Sequence, residues 1–343
     1  MNRHPLTDLV TAVRTGHIET ADGPLHVLRE HETHSAWVFL TATHAFKIRK
    51  PVDLGFLDYS TEDKRRQAAT TEVAIGRRIS PQVYLGVWTF TDAVQPFLTA
   101  SEAAGEPVVA MVRLADELQM EQLIADPRTP ADCVDDVATA CARFHAVCPT
   151  DLRPDGYGSL ENTIRAWTIN FEQLSASDTT IPLSAVERVQ LIDQTQGWLK
   201  HLSPLLSQRI AEGRIREGHG DLRLQHIYLT QPWSVIDPLE FSIELRFSDV
   251  AAELCFLAME LDDLGRRDAS DRLLAKYAET THDATLAAVA PFFKRYRAVV
   301  RAKVEWIRAG QTSGGEREAH LGSSRRLFLL ALSYQPSSSP RYR

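Results

Sequence analysis

The sequence predicts an α+β protein in which a small part with an antiparallel sheet is followed by a larger, mostly helical part. Strand-like runs separated by turn residues occupy about residues 25–113, with one long helical pattern among them, whereas the pattern from Glu117 onward is helical. The 343 residues suffice for one large or two modest domains. We expect a first domain at 1–115, a second at 116–334 and a disordered tail at 335–343.

Composition excludes several classes of protein. The net charge of −7 leaves no electrostatic footprint for nucleic acid and mildly favours a cationic substrate. The four cysteines form no CxxC pair and are expected to be small core residues. Neither a signal peptide nor an apolar run of transmembrane length is present, so we expect a cytoplasmic protein without a membrane partner.

In the first part, residues 5–16 predict a short helix with its apolar side chains on one face. Five strand-like runs follow. They are 25–29, 36–41, 44–49, 82–90 and 107–113. Ser60-Thr61-Glu62-Asp63 is a capping box that begins a long helix ending near Ile79. We therefore expect a five-stranded antiparallel sheet with one large helix.

The second part contains a series of helical patterns. They are 118–124, 131–147, 160–174, 185–212, a strongly apolar run to Met259, and 268–289, 290–309 and 316–333. Asp249 is the expected N-cap of the apolar helix. His145, inside the second of these runs, is expected to be a buried, hydrogen-bonded histidine rather than a catalyst.

Two aspartates flank a predicted hairpin. A turn with two glycines carries Asp221, and strand-like runs at 227–229 and 233–236 end at Asp237. The hairpin would hold both carboxylates close together, and neighbouring carboxylates repel unless a proton or cation lies between them. One aspartate can accept a proton from an attacking hydroxyl while the other carries Mg²⁺, as in kinase-type phosphoryl transfer. Alternatively, Asp221 only caps a turn and Asp237 only ends a strand.

His219-Gly220-Asp221 followed by Ile236-Asp237 resembles the signature of the aminoglycoside phosphotransferase-like kinases, relatives of the protein kinases. Further phrases resemble a bacterial branch of that superfamily that is often fused to a P-loop kinase-like domain. They are Glu32-Thr33-His34-Ser35, Phe46-Lys47-Ile48-Arg49-Lys50-Pro51-Val52, Gly55-Phe56-Leu57-Asp58 and Ile236-Asp237-Pro238-Leu239-Glu240-Phe241. The resemblance covers about residues 25–265. It implies a two-lobed protein-kinase-like fold, with a small antiparallel-sheet N-lobe and a mostly helical C-lobe. No GxxxxGK[ST] pattern occurs, so we expect the kinase-like part to act alone.

The resemblance also implies an ATP site in the N-lobe. Lys47 would pair the nucleotide phosphates, and Glu72 in the long helix would hold it. The segment around Met111 would lead into a hinge that offers backbone groups to adenine. The loop that replaces a glycine-rich phosphate loop would use the side chains of Thr33, His34 and Ser35. Alternatively, this loop is an ordinary hairpin turn and the basic residues near Lys47 form a solvated face.

The catalytic loop departs from the protein-kinase pattern. Protein kinases place a metal-binding asparagine five residues after the catalytic aspartate, and here that position holds His226. Imidazole suits Mg²⁺ poorly, so we expect Asp237 to be the metal ligand and His226 a second metal or phosphate contact. Relatives often have a histidine where this chain has Arg223, which we expect to stabilise charge on the transferring phosphoryl group.

We therefore predict an ATP- and Mg²⁺-dependent phosphotransferase that acts on a hydroxyl of a small molecule, with Asp221 as the base. His226 and the glycine-free loop also fit a pseudokinase-type nucleotide-binding regulatory protein. A protein kinase or nucleotidyl transferase would use the same lobes. However, Asp249 begins a helix only twelve residues after Asp237, which leaves little room for a platform that binds peptides.

Overall fold

The structure is a computed structural model of the chain. It describes residues 5–15, 17–55, 57–91, 96–100, 104–150, 156–175 and 181–336. The chain divides into two compact units. Unit 1 comprises Met1–Gln122 and Gln225–Ser242, and unit 2 comprises Leu123–Leu224 and Ile243–Arg343. The predicted domain limits stay predictions beside this division, and most of the predicted tail, 337–343, lies outside the described residues.

The elements follow one another in two series. The first is α1 (Pro5–Thr15), β1 (His17–Thr20), β2 (Leu25–His26), β3 (Arg29–Glu32), β4 (Ala36–Leu40), β5 (His44–Arg49), α2 (Glu62–Ile79), β6 (Tyr84–Phe90), β7 (Phe97–Thr99) and β8 (Glu106–Val112). The second is α3 (Met120–Ala125), α4 (Val134–Val147), α5 (Leu160–Ser175), α6 (Ala185–Ala211), β9 (Ile215–Glu217), β10 (Ile227–Tyr228), β11 (Ser234–Val235), α7 (Ile243–Arg246), β12 (Phe247–Asp249), α8 (Val250–Asp263), α9 (Arg267–Thr281), α10 (Leu286–Gln311) and α11 (Gly314–Ser333).

Unit 1 is built on one sheet with the strand order β2-β1-β7-β6-β8-β5-β4-β3. Its pairs are antiparallel except β1 with β7, which is parallel. The predicted number of five strands is wrong, since eight are present in the described residues. The predicted run 25–29 covers β2 and only the first residue of β3. The additional strands β1, β3 and β7 have only three or four residues, too few to show an alternating pattern.

The two faces of this sheet pack against different helices. On one face, the apolar side of α1 packs on Phe39, Phe46 and Ile48. On the other face, Ala45 and Val109 pack with Ala69 and Val73 of α2. Because successive strand residues point to opposite faces, the burial of Phe46 and Ile48 against α1 directs Lys47 to the α2 face. The two buried neighbours of Lys47 therefore determine the face of the sheet on which this lysine lies.

The predicted hairpin after the turn that carries Asp221 is present in unit 1. β10 pairs antiparallel with β11, with Ile227 opposite Val235 and Tyr228 opposite Ser234. The strand β11 leads through Ile236 to Asp237.

Unit 2 is mostly helical. The apolar helix α8 is buried over nearly its whole length and begins at the predicted N-cap Asp249, whose carboxylate accepts from the Ala251 N–H. Before it, β12 pairs antiparallel with β9, and this pairing places the turn after β9 beside the first turns of α8. No helix in the described part of the chain is both long enough and apolar enough to cross a bilayer.

A glycine in α2 allows a close approach between this helix and β6. A Cβ built on Gly76 would overlap the ring of Tyr84, whereas one built on Gly197 in α6 would meet open space. We expect Gly76→Ala to destabilise the protein by about 1–3 kcal/mol through overpacking. The matched Gly197→Ala should instead stabilise it by about 0.5–1 kcal/mol, because alanine loses less entropy in a helix. Urea unfolding of both variants measures the change in the free energy of unfolding. Equal changes would contradict the close approach of α2 to Tyr84.

Candidate functional site

Lys47 is the centre of a charged cluster in unit 1. Its ammonium group donates to Glu72 Oε2 at 2.9 Å and to Asp237 Oδ1 at 2.5 Å. Burial alone would lower the pKa of Lys47, but the carboxylates of Asp237, Glu72 and Glu240 outweigh burial and raise that pKa well above its usual value. The lysine is therefore held charged, and the contact with Glu72 that the sequence predicted is present.

Arg49 and Glu240 extend this cluster into the interior. Arg49 also donates to Glu72 Oε2, and its Nη2 lies 3.0 Å from Glu240 Oε1. The Tyr59 hydroxyl donates to the same Glu240 oxygen. Because Glu240 follows Asp237 by three residues, these buried contacts hold the far side of the aspartate turn against β5.

Asp237 has an unusual backbone. Its φ is 64°, in the left-handed region that few residues other than glycine adopt. Its backbone N–H donates to the Tyr84 hydroxyl at 2.9 Å. The carboxylate is 49% exposed, and its Oδ2 lies 3.7 Å from Nε2 of His226. The turn therefore presents a half-exposed carboxylate beside an imidazole and an ammonium group.

Lys47, Glu72, His226 and Asp237 are among the residues that line a cavity of about 380 Å³ within unit 1. Many of the other lining residues are apolar. They include Val38, Leu40, Ala45, Val83, Met111, Leu114 and Ile236. Met111 is thus a lining residue of this cavity, and its predicted role beside a hinge that binds adenine stays a prediction.

Backbone groups are available where β8 ends. The N–H groups of Val112 and Arg113 donate to the carbonyls of Val83 and Thr43. In contrast, the N–H and C=O of Leu114 have no hydrogen-bond partner within the described ranges. Leu114 lines the cavity, so a planar heterocycle inside it would find one donor and one acceptor there.

The turn between β3 and β4 uses most of its own donors. The Thr33 hydroxyl accepts from the N–H groups of Ser35 and Ala36. Thr33 and Ser35 line the cavity, whereas His34 is not among its lining residues. His31, opposite Val38 on the neighbouring strand, does line it. A contact from this turn would therefore come from side chains.

Asp221 and Arg223 belong to unit 2, where Glu253 of α8 supports the preceding turn. The Glu253 carboxylate accepts from the Gly220 N–H at 2.7 Å and from His145 Nε2 at 2.8 Å. A Cβ on Gly218 would overlap this carboxylate, which explains the glycine. His145 is buried and hydrogen-bonded, as the sequence predicted.

Glu260, two turns further along α8, holds the other end of this loop. Its two carboxylate oxygens accept from Arg223 Nε at 2.7 Å and from the Leu224 N–H at 2.8 Å. The predicted role of Arg223 in stabilising charge stays a prediction. So does the convergence of Asp221 and Asp237, which belong to different units.

Several residues of these clusters were not predicted from the sequence. They are Tyr84, Arg49, Glu240, Glu253 and Glu260, all of them supporting residues. Gly76 and Gly218 carry the one usable signal, because an isolated glycine inside a helix or before a catalytic loop indicates a close approach by another group. The identity of that group has no local sequence signal.

Comparison with known proteins gives the family. The model of a phosphotransferase enzyme family matches residues 57–292. Uncharacterised proteins of Mycobacterium bovis and Mycobacterium tuberculosis are 34% identical over 302 residues, which cover 87% of this chain. The chain spans 58% of the length of these curated relatives.

Solved structures show the same fold. An aminoglycoside phosphotransferase in complex with GDP and kanamycin is 15% identical, with a TM-score of 0.50 over 90% of this chain and 94% of that one. A choline/ethanolamine kinase family protein from Mesorhizobium loti is 14% identical, with a TM-score of 0.51 over 91% and 92%. A choline kinase from Cryptosporidium parvum is 10% identical, with a TM-score of 0.51 over 88% of each chain. These likenesses confirm the predicted protein-kinase-like fold, and with the family model spanning most of the sequence, the chain belongs to the phosphotransferase enzyme family.

Proposed function

We propose that the chain is a nucleotide-dependent phosphotransferase that transfers a phosphoryl group to a hydroxyl of a small molecule, with ATP as the expected nucleotide. The observation that carries this proposal is Lys47, which pairs with Glu72 and Asp237 and lines the cavity in unit 1. Relatives of the same fold were solved with GDP and kanamycin or are described as choline kinases, which supports a nucleotide donor and a small acceptor.

The cavity suits the two ends of a nucleotide. Its apolar walls would pack on the base and exclude water, and Leu114 offers a backbone donor and acceptor to the base edge. The ammonium group of Lys47 would neutralise phosphate oxygens at the other end. Phosphoryl transfer depends mainly on such positioning and charge neutralisation.

The residues present fit a cation that arrives with the nucleotide. No group of three or more His, Cys, Asp or Glu side chains in the described residues is placed to hold a metal alone. Mg²⁺ takes one or two carboxylates and fills its shell with water and phosphate oxygens. Asp237 would be the protein ligand of Mg²⁺. The bound ion would neutralise charge on the transferring phosphates.

His226 fits better as a neighbour of Asp237 than as a metal ligand itself. Its Nε2 lies 2.9 Å from Gln225 Nε2 and 3.7 Å from Asp237 Oδ2. Since imidazole is a poor Mg²⁺ ligand, we assign His226 a contact to phosphate or an outer contact to the metal. Glu240 is less suited to ligate, because Arg49 and Tyr59 already occupy its Oε1.

Asp221 is proposed as the proton acceptor for the attacking hydroxyl, on the strength of its motif. Glu253 and Glu260 hold the backbone on both sides of it within unit 2. A carboxylate on a rigid loop loses little entropy when it accepts a proton from a positioned hydroxyl. Arg223 is proposed to balance charge beside it.

The test separates binding from turnover. Calorimetry with a non-hydrolysable ATP analogue and Mg²⁺ should show binding, and ADP release should require one member of a panel of sugars, amino alcohols and aminoglycosides. Asp221→Asn should abolish that release while leaving analogue binding unchanged, and Asp193→Asn, an exposed aspartate of α6, should change neither. Absence of nucleotide binding would overturn the proposal.

A nucleotide-binding regulatory protein without turnover is the second candidate. The β3–β4 turn favours it. There the Thr33 hydroxyl already accepts hydrogen bonds from two backbone N–H groups that could otherwise donate to phosphates. His226 at the position of the metal-binding asparagine favours it too. Analogue binding without ADP release for any acceptor in the panel would support this candidate over the enzyme.

A further inference from the structure

The segment from β11 to Asp237 has an edge where side-chain hydroxyls take the place of a neighbouring strand. On one side, the Ile236 N–H donates to the His226 carbonyl across the hairpin at 3.0 Å. On the other side, the N–H of Val235 donates to Ser80 Oγ at 2.7 Å and the N–H of Asp237 donates to Tyr84 Oη at 2.9 Å. Alternate N–H groups of a strand point to the same side, so the two hydroxyls satisfy successive donors of a single edge.

The position of Tyr84 is itself specified by several features of unit 1. The β6–β8 register shifts between Tyr84 and Gly86, where Leu85 has no partner of its own. Such a bulge redirects a side chain out of the regular alternation. Arg77 of α2 donates to the carbonyls of Tyr84 and Leu85 and fixes the bulge from outside. Gly76, one residue earlier, leaves room for the tyrosine ring.

The hydrogen bond reaches a residue whose backbone is disfavoured. Asp237 has a φ of 64°, so its conformation persists only where surrounding contacts hold it. Tyr84 is 1% exposed, so its hydroxyl lies in the interior beside this turn. Without the hydroxyl, the Asp237 N–H would lose this hydrogen bond and the turn would gain access to other conformations.

We propose that Tyr84 is a positioning residue for the cation bound with the nucleotide, an inference that rests on the proposed function. The Tyr84 hydroxyl holds the Asp237 backbone in the left-handed conformation that presents the carboxylate to the cation. Ser80 supports the same strand two residues earlier. Neither side chain needs to touch nucleotide or cation, because both act through the backbone of β11 and Asp237.

The experiment uses the full chain with Tyr84→Phe, which removes only the hydroxyl. The matched control is Tyr334→Phe, which removes a partly buried tyrosine hydroxyl bonded to Asp262 in unit 2. Calorimetry with the ATP analogue over a Mg²⁺ series gives the midpoint of cation-dependent binding. We expect Tyr84→Phe to raise that midpoint by about tenfold, as loss of one buried hydrogen bond allows, and to leave analogue binding without Mg²⁺ unchanged. Tyr334→Phe should leave the midpoint at the wild-type value.

Hydrogen exchange of the Asp237 amide in the nucleotide-free protein provides a second readout. Tyr84→Phe should accelerate this exchange by about tenfold, whereas Tyr334→Phe should not. A wild-type midpoint in Tyr84→Phe would overturn the inference and leave the proposed function standing. A wild-type chain that binds no nucleotide would overturn the proposed function itself, so the two failures are distinguishable.

Discussion

Replacing Lys47 with methionine is expected to lower kcat/KM by roughly 10²- to 10³-fold, the usual loss when one preorganised donor to a developing charge is removed. Methionine keeps the length and apolar stem of the side chain, so the sheet core behind it should be preserved. What disappears is the charge that Glu72 and Asp237 hold in place. Steady-state ADP release with an acceptor from the panel measures the loss.

Lys50→Met is the control for this prediction. Lys50 lies three residues further on and pairs with the exposed Glu32 instead of the buried cluster. Its removal should change kcat/KM less than twofold, since exposed ion pairs contribute little. Comparable losses in both variants would show that general basic charge, and not the Lys47 contact, matters.

The second large effect concerns stability in unit 2. Arg209 is fully buried and bridges two buried carboxylates, with 2.7 Å contacts to Asp249 and 2.8 Å contacts to Asp283. Arg209→Met would leave Asp249 without its guanidinium partner and Asp283 with only the longer contact to Arg214, at 3.9 Å. We expect a loss of roughly 3–5 kcal/mol in the free energy of unfolding, because breaking a buried pair leaves uncompensated charge. Urea unfolding at neutral pH measures it.

A matched exposed pair provides the comparison. Arg272 binds Asp135 on the surface through two contacts of similar length. Arg272→Met should cost no more than about 1 kcal/mol. A similar cost for both variants would contradict the role assigned to the buried bridge.

The pH dependence of this effect follows from Asp283. Burial raises its pKa, but the charge and hydrogen bonds of Arg209 outweigh burial and lower that pKa below the usual value. A carboxylate with a lowered folded pKa stabilises the protein above its unfolded pKa, near 4, and loses that contribution as pH falls further. The stability gap between wild type and Arg209→Met should therefore hold from pH 7 down to about pH 4 and narrow as the pH falls below that value.

Much of unit 1 was predictable because its signals are local. Phe46, Lys47 and Ile48 alternate between apolar and charged side chains, which indicates that Lys47 points away from its two neighbours, and the structure buries Phe46 and Ile48 together against α1. The capping box predicted the start of α2, where Thr61 caps the Lys64 N–H. The short strands β1 and β7 were missed because four residues carry too little pattern.

By itself, the sequence determined the α+β division, the helix and hairpin that carry Glu72 and Asp237, and the family, because periodicity, caps and motifs are encoded within short stretches. Only the tertiary structure decided that Glu72 is shared by Lys47 and Arg49, and that the Tyr84 hydroxyl holds the Asp237 backbone. Tyr84 and Asp237 stand 153 residues apart. Their contact depends on a bulge in β6 and a glycine in α2, and such long-range packing leaves no periodic trace in the chain.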